Sequence, residues 1–149
     1  MRVYVDALGC KLNQSEMEDL ARQFHAAGHE VVTDPTEAEL SILNTCTVTH
    51  IAARKSRQAL RRLRRDNPDA CIVATGCYVE TSPQEIEALE SVDILADNQA
   101  KDHLFDLLAA RIPGLLAVTD KARNRYLSPL KAATHARPFL QHHERCYNA

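Results

Sequence analysis

Three cysteines in this sequence sit just past the ends of strand-like segments: Cys10 in "RVYVDALGC", Cys46 in "LSILNTC" and Cys77 in "CIVATGC". Thiolates are the natural ligands of soft metals. Three of them, with no fourth cysteine nearby, suit an iron–sulfur cluster with one open iron, or an open zinc site. The competing reading is three packing or redox cysteines that never meet a metal. Each is followed by a helix-like segment, whose N-terminal N–H groups and dipole favour a thiolate. The three are far apart in sequence, so only the fold can gather them.

The segments between them indicate how. "RVYVDAL" reads as a first strand, rich in β-branched and aromatic residues. Asn13 is placed to cap the next helix, with Glu16 completing a capping-box-like pair; Met17, Leu20, Ala21 and Phe24 then recur at helical spacing until Gly28. "EVVTD" and "LSILN" follow as strands, and a long helix runs from about Val48 to Arg65. "CIVAT" is the fourth strand. "TSPQEIEALE" opens a helix with Ser82 as cap, Pro83 at the first helical position and Glu85 at the box position. "VDILA" and "KDHLFDLLAARI" are the last strand and helix. Strands alternating with helices in units of roughly 30 residues predict a doubly wound, mostly parallel α/β sheet. With helices on both faces it would be a flavodoxin- or Rossmann-like three-layer sandwich.

In a parallel sheet all strand C-termini lie along one edge, where ligands collect near a topological switch point. Cys10, Cys46 and Cys77 are expected to share that edge. Cys71 is the control: it begins the strand that ends before Cys77, which puts it roughly 20 Å away as a buried, inert thiol. Gly9 and Gly76 are expected to permit the sharp turns, and Asn13 and Asn44 to serve as cap and turn residues. No glycine-rich phosphate-loop pattern follows any strand.

Bulk properties narrow the setting. A chain of 149 residues with 45% hydrophobic composition can bury one core. No run approaches the ~18 apolar residues of a membrane span, and Asp6 and Gly9 interrupt any signal-peptide character. The expected compartment is cytoplasmic, where an odd count of five cysteines points to metal or catalysis before disulfides. The net charge of −2 is uninformative, but its distribution is not. Seven of the 18 Lys and Arg residues fall on the long helix. Arg54, Arg57, Arg61, Arg64 and Arg65, flanked by Lys55 and Arg62, lie broadly opposite Val48, Ala52, Ala59, Leu60 and Leu63. A solvated helix face explains most such runs, yet a face of one sign also suits RNA phosphates. His135, His142 and His143 lack finger spacing and read as exposed. Residues 1–112 are expected to form the α/β domain, 113–137 a linker, and 138–149 the start of another segment.

"LGCKLNQSE", "NTCTVT" followed by "ARKSRQALRR", and "TGCYVE", in this order, resemble the N-terminal domain of the radical-SAM methylthiotransferases. The likeness runs through "VDILADNQAK" and so covers nearly all of residues 1–105. It implies that Cys10, Cys46 and Cys77 bind an auxiliary 4Fe-4S cluster with one free iron, where sulfur is delivered. "LGCKLNQ" with "NTCTVT" is most similar to the enzymes that methylthiolate N6-threonylcarbamoyladenosine beside the tRNA anticodon. "RPFLQHHERC" is similar to the approach to the motif that binds a second 4Fe-4S cluster and S-adenosylmethionine, with Cys146 matching its first cysteine. The residues before Cys146 depart from the family pattern, with Arg145, His142 and His143 where glycine, acidic and amide residues are usual. The sequence stops three residues later, so this chain alone is expected to lack the radical-SAM barrel and to be inactive. Two rivals stay open: a non-catalytic iron–sulfur carrier or scaffold, and a zinc or thiol-redox domain of flavodoxin-like shape.

Overall fold

A computed structural model describes residues 1–112 and Leu115. Five strands form one sheet: β1 (Arg2–Ala7), β2 (Glu30–Val32), β3 (Leu40–Thr45), β4 (Cys71–Gly76) and β5 (Ile94–Ala96). Their order is β2-β1-β3-β4-β5 and every neighbouring pair is parallel. This is the doubly wound arrangement expected, with the strand order reversing between β1 and β3. β3 and β4 are buried at every position, which is why they read as near-continuous apolar runs and not as alternating ones.

The helices are α1 (Lys11–Ala26), α2 (His50–Asp66), α3 (Cys77–Thr81), α4 (Pro83–Glu87), α5 (Asn98–Lys101) and α6 (Leu104–Arg111). They cover both faces. On one, Met17, Leu20 and Phe24 of α1 and Leu104 and Leu108 of α6 pack on Val3, Ile42, Val73 and Ile94. Phe24 meets Phe105 edge-to-face at 5.0 Å between centroids. On the other face, Ala53, Leu60 and Leu63 of α2 join Leu43, Ile72, Ala74, Tyr78 and Ile86. Leu115 also belongs to the first core, and its carbonyl lies 3.0 Å from His29 Nε2. The expected linker beyond it and the segment 138–149, with Cys146 and His135, His142 and His143, lie outside the described residues.

Local details differ from the sequence reading where backbone partners decide them. Helix α1 begins three residues before the expected position, with Cys10 itself at the cap and Asn13 inside the first turn. Helix α2 is capped by Thr49, whose Oγ1 accepts from the Ala52 N–H at 3.0 Å. Val48 therefore falls outside the helix and is 80% exposed, not part of its buried side. Ser82 does separate α3 from α4, but its hydroxyl caps nothing, and Glu85 turns back to accept from Tyr78.

Leu60, fully buried where α2 meets the sheet, sets a direct test of this packing. Leu60→Ala is expected to cost about 2–5 kcal/mol through lost burial and a residual cavity. Val48→Ala is expected to change stability by no more than about 0.5 kcal/mol. Urea unfolding followed by circular dichroism measures both.

Candidate metal centre

The strands that end in the three cysteines are immediate neighbours. Ala7 of β1 pairs with Asn44 of β3, and Thr45 of β3 pairs with Gly76 of β4. Cys10, Cys46 and Cys77 therefore leave one edge of the sheet, two of them flanking the point where the strand order reverses. Cys71 pairs with Leu40 at the opposite end of β4 and is buried, at 7% exposure. The free thiols among the described residues are Cys10, Cys46 and Cys77. The location expected of Cys71 holds; the expectation of a free thiol there does not.

Two glycines let these turns close on one another. Gly9 has φ +101°, and a Cβ there would stand 2.8 Å from both Cβ and Sγ of Cys46. Gly76 has φ +97°, and a Cβ there would drive into Asn44 Oδ1 and stand 2.5 Å from the Thr45 carbonyl oxygen. Both positions need the left-handed backbone and the missing side chain together. The turn carrying Cys10 thus rests on Cys46, and the turn carrying Cys77 rests on the two residues before Cys46.

Each cysteine is held differently. Cys10, exposed, caps α1. Cys46 is 5% exposed, and Ser56 of α2 clasps its backbone: the Cys46 N–H donates to Ser56 Oγ at 3.1 Å and that hydroxyl donates to the Cys46 carbonyl at 2.9 Å. Cys77, half-buried, opens α3. That five-residue helix is anchored by the next residue, Tyr78, whose hydroxyl donates to Glu85 at 2.5 Å and accepts from Arg57 at 2.6 Å. Burial, reinforced by the bond to Glu85, raises the Tyr78 pKa above its ordinary value, so the phenol keeps its proton. Thr45 Oγ1 donates to the Thr75 carbonyl at 2.6 Å and ties the ends of β3 and β4 together.

The donor set is three cysteine sulfurs, a soft set suited to iron–sulfur or zinc chemistry. Among the described residues, no three His, Cys, Asp or Glu side chains are gathered tightly enough to hold a single metal ion. A zinc ion requires its sulfurs within about 2.3 Å of one point. A four-iron cube takes each thiolate on a different iron and suits sulfurs on three separate turns. The side-chain-free turns at Gly9 and Gly76 keep bulk away from this edge. Leu12, Val48 and Ile51, close in sequence to Cys10 and Cys46, are exposed apolar residues.

The basic residues of α2 divide into two groups. Arg64 is engaged inside the domain, pairing with buried Asp93 and donating to the carbonyls of Pro68 and Ala70 at 2.8 and 2.9 Å. Arg57 is held by Tyr78 and by Glu85 at 3.6 Å. Arg54, Lys55, Arg61, Arg62 and Arg65 are exposed, the last two sharing Asp66. Sequence reasoning missed Ser56, which carries no signal beyond its place on the helix face that must be buried, and it read Asn13 and Asn44 too simply. Among the described residues no helix is long and apolar enough to cross a membrane.

Comparison with known proteins follows the same residues. Residues 2–97 match the family described as Uncharacterized protein family UPF0004. The chain is 42% identical over 108 residues to the threonylcarbamoyladenosine tRNA methylthiotransferase MtaB of Aquifex aeolicus, covering 72% of this chain and 26% of that protein. It is 44% identical over 98 residues to the MtaB of Bacillus subtilis, covering 66% of this chain and 22% of that one. A probable threonylcarbamoyladenosine tRNA methylthiotransferase of Pyrococcus abyssi is 31% identical over 122 residues, covering 80% and 28%. The chain thus spans about a quarter of the length of these relatives. With three cysteine turns on one sheet edge and this likeness over most of its length, the chain belongs to the UPF0004 family, the N-terminal domain of the methylthiotransferases.

Proposed function

We propose that this chain is the auxiliary-cluster part of a cytoplasmic tRNA methylthiotransferase acting on N6-threonylcarbamoyladenosine. Cys10, Cys46 and Cys77 would hold a 4Fe-4S cluster. When bound, that cluster supplies an iron with an open position at which sulfur can be carried. The observation that carries the reading is the adjacency of β1, β3 and β4, each ending in a cysteine turn at one edge. The residues of the chain bind and position. Ser56 holds the Cys46 backbone, Tyr78 anchors the helix that Cys77 opens, and Cys10 sits at the N-cap of α1. In the complete enzyme S-adenosylmethionine and a second 4Fe-4S cluster, with Cys146 as one ligand, would generate the radical that activates the adenosine.

The tRNA contact proposed for this domain is the outer face of α2. With Arg57 and Arg64 engaged internally, the stripe reduces to Arg54, Lys55, Arg61, Arg62 and Arg65. Such a stripe positions a phosphate backbone and carries no base specificity.

Anaerobic reconstitution with iron and sulfide tests the centre. The reduced chain is expected to turn brown and hold about four irons. Cys10→Ala, Cys46→Ala and Cys77→Ala should each lower that number, while Cys71→Ala keeps it. Colourless protein binding one zinc would sink the reading. For the tRNA face, replacing Arg54, Arg61 and Arg65 by Gln should weaken tRNA binding at every sequence. It should also flatten the dependence of log Kd on log salt by about one for each arginine that met a phosphate. Arg22→Gln on α1, also exposed, is the control; equal effects from the two faces would remove α2 from the contact.

A further inference from the structure

Asn44 is a buried polar residue inside a central strand, two positions before Cys46, and fully inaccessible. Asparagine is disfavoured in strands, and a buried amide costs free energy unless its groups are bonded. Turn formation does not account for it, since β3 continues to Thr45. Its contacts reach all three cysteine turns. The backbone carbonyl accepts from the Leu8 N–H at 2.9 Å, two residues before Cys10. The side-chain Nδ2 donates to Glu16 Oε2 at 3.1 Å and approaches the Asn13 carbonyl at 3.5 Å. Asn13 Nδ2 in turn donates to the Leu8 carbonyl at 2.9 Å. The other end of the amide, Oδ1, has no hydrogen-bond partner and abuts Gly76, the residue before Cys77.

Glu16 decides which way the amide points. Its carboxylate only accepts, so the NH2 end must face it and Oδ1 must face Gly76; the flipped amide would set two acceptors together. Glu16 is itself held by Lys101 at 2.7 Å, with the lysine side chain only 12% exposed. We propose that Asn44, oriented by Glu16 and Lys101, is the positioning residue that spaces the Cys46 and Cys77 sulfurs and seats the Cys10 turn beside them. This rests on the reading that the three thiols form one site, and it concerns the chain before any cluster is added.

The test uses the reduced, metal-free 149-residue chain and dibromobimane, which fluoresces on bridging two nearby thiols, with peptide mapping of the bridged pair. Asn44→Ala is expected to slow Cys46–Cys77 bridging about fivefold, the loss of roughly one net hydrogen bond. Asn44→Asp should slow it at least as much, because two carboxylates then face each other. The double variant Asn44→Asp with Glu16→Gln restores a donor–acceptor pair at the Glu16 contact, though not at the Asn13 carbonyl, and should bridge faster than Asn44→Asp alone. Leu63→Ala, which weakens the core away from this edge, should bridge at the wild-type rate below its melting transition. A merely structural role predicts the same slowing in Leu63→Ala and no recovery in the double variant, and either result overturns the proposal. So do an unchanged or faster rate in Asn44→Ala, and a wild-type chain whose Cys46 and Cys77 never bridge. Failure of the wild-type chain to take up iron overturns the proposed function instead and leaves the bridging result standing.

Discussion

The parallel pairing of β1, β3 and β4 is the constraint on which the site depends. Backbone hydrogen bonds fix the register of these strands, and the register sets where each chain leaves the sheet. Thr45 lies opposite Gly76, and Ala7 opposite Asn44. A slip of one residue in any of the three would turn its side chains to the other face. It would also carry that cysteine away from the others. β3 and β4 are buried at every position, so a slip would have to repack close-packed side chains on both faces of the sheet. The energy that holds the cysteines near each other is therefore core burial, made well away from the sulfurs.

Close approach also requires the absence of atoms. The Gly9 turn touches Cys46, and the Gly76 turn touches Asn44 and Thr45, at distances no Cβ permits. An added methyl at either position would have to push a neighbouring turn outward. Left-handed backbone at both glycines would add strain for any other residue. Much of the site's geometry thus follows from two residues that contribute no side chain. Asn44, a buried polar side chain among these turns, lies against the gap left by Gly76.

How much of this was readable beforehand depended on the range of the interaction. The parallel sheet, the shared edge and the distant position of Cys71 follow from period, length and the direction of parallel strands, which are local patterns and simple geometry. The ends of α1 and α2 were misplaced by a few residues because Cys10 and Thr49, rather than Asn13 and Val48, sit at the boundaries. Ser56 shares the buried face of its helix with Ala53, Leu60 and Leu63, but only the fold brings the Cys46 backbone over its hydroxyl. Arg64 looks identical to Arg61 in sequence. Asp93, 29 residues further on, together with the Pro68 and Ala70 carbonyls, makes one an internal strut and leaves the other exposed. Asn44 was hidden for the same reason: its partners Leu8, Glu16 and Gly76 come from three separate segments.

Helix α2 joins the two parts of the proposed function in one rigid body. Its buried face carries Ser56, which grips the backbone of Cys46 at both N–H and carbonyl. Its outer face carries the exposed basic stripe. At 1.5 Å per residue its 17 residues extend about 25 Å, so phosphates taken by the stripe would stand at fixed distances from the cysteine edge. Arg64 fastens the far end of the same helix to the loop before β4 and to Asp93 just before β5, which limits tilting of that stripe against the sheet. A phosphate contact on α2 would then do more than add affinity. It would set the register of the RNA relative to the sulfurs, because the element proposed to meet the RNA backbone is also the one that holds the middle cysteine.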